Sequence, residues 1–112
     1  MYTLIKQENV KGFDIQFSVD EDIFFDPSDL FSEKEDIDVC RDKLESGEWL
    51  VFTARITASK CGIVLAEDYL DGCVYSNPIE FWNKDEDYCS EMIDNVIKQA
   101  IAVLKILQNE TI

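Results

Sequence analysis

Twelve of the 24 carboxylates in this chain fall between Asp20 and Glu48, where only Lys34, Arg41 and Lys43 oppose them. That block therefore carries −9 of the total charge of −14. Within it, Glu35, Asp38, Asp42 and Glu45 recur at spacings of three and four. On a helix those four fall within roughly 80° of one another. Neighbours then stand about 5 Å apart along the axis. Such a row does no acid–base chemistry by itself. It offers an ordered line of negative charge to a cationic surface, which speeds encounter and selects the partner. Asp20, Glu21, Asp22, Asp26 and Asp29, from the segment just before, extend the line. These nine residues are the candidate partner-binding set.

The row is locally unfavourable. Like charges three or four residues apart each cost roughly 0.2–0.5 kcal/mol, so three pairs cost about 1 kcal/mol. A row kept despite that repulsion points to a binding surface. The competing explanation is plainer: acidic residues promote solubility with no partner at all.

Catalytic chemistry has little support. The chain has no His, the commonest general base near neutral pH. A Ser-His-Asp or Cys-His nucleophile is thereby excluded. Neither G-x-x-x-x-G-K-[ST] nor G-x-G-x-x-G occurs. Carboxylate pairs of the glycosidase kind exist only as composition, with no specific signal. Cys40, Cys61, Cys73 and Cys89 form no C-x-x-C, so they read as reduced packing thiols, not zinc ligands. Asn83, Asp85 and Asp87 alternate like the first ligands of an EF-hand, with Asp94 at position twelve. Tyr88 occupies position six, where Gly is needed, and the closing Glu is missing. No catalytic residue, metal ligand or cofactor is assigned, and a non-enzyme is expected.

The charge also narrows the partners. Ten scattered Lys and Arg argue against direct binding of nucleic acid, which is driven by cations replacing counterions. Anionic membrane surfaces are disfavoured for the same reason. No apolar run reaches the ~20 residues that span a bilayer. Met1 to Lys6 lacks the basic start and apolar stretch of an export signal, so a cytoplasmic location in the host cell is expected. What remains is a basic protein.

These residues need a scaffold. A chain of 112 residues fits a single domain over 1–112, and seven Phe, four Tyr and two Trp supply a core. Tyr2 to Gln7 reads as a short strand and Glu8 to Gly12 as a turn. Phe13 to Val19 alternates with period two, making a half-buried strand and a hairpin. Ser32, with Glu35 three positions on, predicts a capping box opening a helix that Gly47 ends. Ile37, Cys40 and Leu44 form its inner stripe, about 150° from the acidic row. Trp49 to Ser59 is a strand, with Leu50, Phe52, Ala54, Ile56 and Ala58 facing one way. Lys60-Cys61-Gly62 turns the chain, and Ile63 to Ala66 returns. Glu67 to Gly72 reads as a loop and Cys73 to Ser76 as a last short strand. Asn77-Pro78 breaks structure, and Phe81-Trp82 lies in a connecting stretch. A closing helix from about Asp87 to Gln108 carries the stripe Ile93, Val96, Ile97, Ala100, Leu104 and Leu107. The order β-β-α-β-β-(β)-α predicts an α+β fold, an antiparallel sheet of four to five strands with two helices packed on it. Phe24, Phe25, Phe81 and Trp82 are either core or apolar anchors beside the acids.

The run Gly47-Glu48-Trp49, Thr57-Ala58-Ser59-Lys60, Gly62-Ile63, Leu65-Ala66, Asp68, Gly72-Cys73 and Tyr75 resembles small acidic proteins of bacteriophages and prophages. The similarity extends to the apolar C-terminal helix. It carries over no catalytic residue. It implies a viral context, in which compact acidic proteins inhibit host defence, among them anti-CRISPR proteins and restriction inhibitors that imitate DNA. The Asp20–Glu48 block lies mainly outside the similar run. The expected function is a non-catalytic inhibitor that blocks a basic nucleic-acid-binding surface of a host protein. The alternative is a small structural or assembly protein that forms a homo-oligomer such as a homodimer, with acidity serving solubility.

Overall fold

A computed structural model describes residues 1–84 and 88–110. Four strands, β1 (Thr3–Val10), β2 (Phe13–Glu21), β3 (Leu50–Lys60) and β4 (Ile63–Tyr75), form one antiparallel sheet in that order. A 3-10 turn at Pro27–Asp29 and helix α1 (Lys34–Ser46) join β2 to β3. Helices α2 (Ile79–Lys84) and α3 (Tyr88–Glu110) follow β4. The fold is α+β, a sheet with helices packed on it, as the alternation and helical stripes predict. The expected helix start near Asp87 lies outside the described residues.

Both hairpins close on two residues, Lys11-Gly12 and Cys61-Gly62, with φ of 52°, 87°, 54° and 77°. Two left-handed residues give the turn whose twist matches that of the strands. They fix the register at Val10↔Phe13 and Lys60↔Ile63. Because side chains alternate, Ile15↔Ala58, Phe17↔Ile56 and Val19↔Ala54 then share one face. Phe13, Ile15, Phe17, Phe52, Ala54, Ile56 and Ala58 are all buried there. Helix α3 covers that face over β3 and β4 with Met92, Val96, Ile97 and Ala100.

Three expectations need correction. First, Phe81 and Trp82 sit on a helix, α2, not in a connecting stretch. Phe81 is fully buried, its ring 5.2 Å from Phe17 and 5.7 Å from Tyr75, and Trp82 stacks on Phe17 at 6.1 Å. Phe81 belongs to the core, and Trp82 is partly buried against it. Second, Glu67 to Gly72 is not a loop but part of β4, which among the described residues runs on unbroken to Tyr75. The register slips twice, between Phe52 and Ala54 and between Ala58 and Ser59, each time placing one extra residue in β4. These bulges accommodate a segment whose acids break the apolar alternation. Third, α1 starts with Glu33 at its N-cap and no side-chain cap bond, so the Ser32–Glu35 capping box does not form. Its other end is as expected, with Gly47 left-handed at φ 82°. Helix α1 rests chiefly on the Pro27–Asp29 turn, and the sheet is covered by α2 and α3. The molecule is elongated, 61 × 25 × 22 Å.

Candidate functional site

The segment after β2 is held by its own carboxylates. Asp22 accepts hydrogen bonds from the Phe24 N–H at 3.3 Å and, through its other oxygen, from the Gly72 N–H at 3.0 Å. The second bond ties the loop to the β4 bulge, where Gly72 has φ 68°. The Phe25 ring lies over that glycine, with Cδ1 3.6 Å from where a Cβ would stand. Asp26 caps the 3-10 turn by accepting the Ser28 N–H at 3.0 Å. That bond, reinforced by the Ser28 side chain, holds the Asp26 carboxyl below its ordinary pKa. Asp20 accepts the Met1 amino group at 3.2 Å and the Glu21 N–H at 3.0 Å.

This scaffolding shapes an open cleft of about 800 Å³. Asp20, Glu21, Asp22 and Asp29 line it, so four of the nine predicted residues converge. Asp71, from the β4 bulge, joins them and is held by the Thr53 hydroxyl at 2.8 Å. The residue was missed in the sequence because Asp71-Gly72 reads as a turn, and only strand pairing brings it to the loop. Ile23, Phe24 and Leu30 supply the apolar part of the cleft. Phe24 is 88% exposed and Ile23 73% exposed. Asp26 is exposed but serves the turn, and it is not among the lining residues.

The other four predicted residues stand on α1. Glu35, Asp38, Asp42 and Glu45 are all exposed, while Cys40 is fully buried and Ile37 and Leu44 are half-buried on the inner side. Asp38 pairs with Arg41 at 3.7 Å, an exposed contact worth little. Lys43 pairs with Glu48 at 3.1 Å and lies over the Trp49 ring at 5.1 Å. Among the described residues, Glu35, Asp42 and Glu45 take part in no ion pair. Because α1 rests on the turn that follows the cleft loop, loop acids and helix acids share one end of the molecule. That end is opposite the two hairpin turns, separated from them by the length of β2, about 26 Å at 3.3 Å per residue.

The sheet face away from α3 carries the register row Ser18↔Arg55↔Tyr69. The Arg55 guanidinium lies 4.4 Å from the centre of the Tyr2 ring, and its Nε is buried without a hydrogen-bond partner. The Tyr69 hydroxyl donates to Glu67 at 2.5 Å, which raises the phenol's pKa. Burial, with Asp20 nearby, raises that of Tyr2.

What this end of the molecule can do is present charge. Among the described residues no group of three or more His, Cys, Asp or Glu comes close enough to hold a metal ion. The Asp85 and Asp87 considered for calcium lie outside the described residues. No described helix is long and apolar enough to cross a membrane. Comparison with protein-family models, with curated proteins and with solved structures finds no match.

Proposed function

We propose that the chain is a non-catalytic, phage-type inhibitor, of the anti-CRISPR or anti-restriction class, that blocks a basic nucleic-acid-binding surface of a host protein with its acidic end. The observation that carries this reading is the open cleft that Asp20, Glu21, Asp29 and Asp71 line together with the exposed Phe24 and Ile23. Carboxylates and an exposed ring in one cleft combine charge matching with an apolar anchor, two ingredients of a protein interface.

The charge density supports mimicry of nucleic acid. The α1 row runs from Glu35 to Glu45, about 15 Å of helix axis. One strand of DNA offers about four phosphates over that length. Four exposed carboxylates on one helix therefore match a single strand in line density. Lys and Arg side chains that ordinarily meet phosphates would meet Glu35, Asp38, Asp42 and Glu45.

The test is capture of basic proteins from host lysate at low and high salt, followed by displacement of labelled DNA from the captured protein. Binding is expected to weaken steeply with salt. The variant Glu35→Gln, Asp38→Asn, Asp42→Asn, Glu45→Gln is expected to lose about tenfold or more in association rate while keeping its fold. Phe24→Ala is expected to speed dissociation. A captured partner that binds the variants as well as the parent, and equally at both salts, would refute the proposal.

A further inference from the structure

Helix α1 rests chiefly on the Pro27–Asp29 turn and makes little contact with the sheet. A groove of about 390 Å³ lies where the two come near. Leu44 of α1, Val19 near the end of β2, Trp49 and Leu50 at the start of β3, and Pro78 before α2 line it. Leu44 and Trp49 are half-buried, and Leu50 is 44% exposed. The lining is thus apolar and reachable from solvent. Two of the lining residues are ionised, Asp20 and Glu21, and both are acidic. The same two line the cleft between Asp29 and Asp71, so groove and cleft adjoin along them. Asp20 meets the Met1 amino group through one oxygen. Among the described residues, Glu21 takes part in no ion pair. Lys43 lies over the Trp49 ring at 5.1 Å, but Glu48 holds it at 3.1 Å, so that wall adds no uncompensated positive charge.

Resting on the function proposed above, we infer that this groove receives an apolar side chain of the basic partner, from a segment where Lys or Arg flanks that residue. Charge complementarity selects this occupant. A purely apolar ligand would cover Asp20 and Glu21 without pairing them, and an unpaired carboxylate is costly to bury. A second copy of the chain brings a further −14 to the same rim. A segment of mixed character satisfies both parts at once. Its cations meet Asp20, Glu21 and the adjoining cleft, and its apolar residue enters beside Trp49, a side chain of the kind that dominates interface energetics. Carboxylates alone treat basic proteins of equal charge alike. The groove separates them, because it rewards an apolar residue among the cations. It also supplies a part of the affinity that salt does not screen.

Fluorescence anisotropy of labelled peptides with the full chain, at about 0.05 and 0.3 M salt, tests this. The probes are Arg-Lys-Phe-Lys-Arg, Arg-Lys-Ser-Lys-Arg and Ser-Ser-Phe-Ser-Ser. The first is expected to bind about tenfold or more tighter than the second, with the ratio kept at the higher salt. Leu50→Ser, at a partly exposed position, should cut that ratio to about twofold or less, with circular dichroism and the affinity of the second peptide unchanged. In the parent chain, the methyl resonances of Val19, Leu44 and Leu50 should move with the first peptide and stay in place with the second. Equal binding of the two cationic peptides, or unmoved methyls, would overturn the inference and leave the function of the acidic end standing. Binding of neither at low salt would overturn both. Ser-Ser-Phe-Ser-Ser binding as tightly as the first would assign the groove to a purely apolar ligand and overturn the inference too.

Discussion

Removing the Asp22 carboxylate should loosen the cleft from within. Asp22 was a candidate for contact with a partner, yet its two oxygens are spent on the Phe24 and Gly72 amides. The Phe24 residue is exposed, so water replaces that bond with little loss. The Gly72 amide is part-buried, and the bond to it is charge-assisted. Stranding such a donor costs about 1–3 kcal/mol. With a urea slope of about 1.5 kcal/mol per molar, Asp22→Ala should lower the midpoint by about 0.7–2 M. Asp22→Asn keeps one accepting oxygen and should lose about half as much. Native-state hydrogen exchange reads the local event directly: the Gly72 amide should exchange faster in Asp22→Ala, and partner binding should weaken through the displaced loop. An unchanged urea midpoint with unchanged Gly72 protection would refute the reasoning and return Asp22 to the contact set.

Phe81→Ala should cost about 3–5 kcal/mol in urea unfolding, since its ring fills the centre of a four-ring cluster. A loss below about 1 kcal/mol would remove it from the core. Ultraviolet titration should find Tyr69 deprotonating above the ordinary phenol range, chiefly through its bond to Glu67. Because the folded value is raised, the stabilisation is present below the unfolded pKa of about 10 and is lost as pH rises through the folded one. Glu67→Gln should bring the titration back toward normal, and an unmoved curve would exclude that cause. Cys61→Asn should stabilise the β3–β4 turn by up to about 1 kcal/mol, because Asn tolerates the left-handed conformation better. That corresponds to a rise of about 4 °C in melting temperature, and a fall would show that the thiol's packing outweighs its backbone strain.

Local signals located most of the fold. Phe13 to Val19 and Leu50 to Ala58 alternate strictly, and two-residue turns set their register, so the buried face was legible residue by residue. The α1 wheel was legible for the same reason: Cys40 is buried and Glu35, Asp38, Asp42 and Glu45 are exposed. What eluded the sequence was non-local. Helix α2 is only six residues long and follows Asn77-Pro78, so periodicity had nothing to grip. Glu67, Asp68 and Asp71 looked like loop because β4 is an edge strand, where outward acids and a bulge are tolerated. The cleft required three separate segments to meet. Asp71 and Thr53 join Asp20 and Asp29 only through strand pairing, and Asp22 and Asp26 turned inward to the backbone.

The distribution of charge has a consequence for how the molecule arrives at anything. A body 61 Å long with most of its excess negative charge near one tip has a large permanent dipole moment. A cationic target exerts torque on it as well as attraction, so the acidic tip is turned forward before contact. Screening confines that torque to the last ~8 Å at physiological ionic strength. Over that distance alignment replaces random search, and fewer collisions are wasted on the wrong side of the protein.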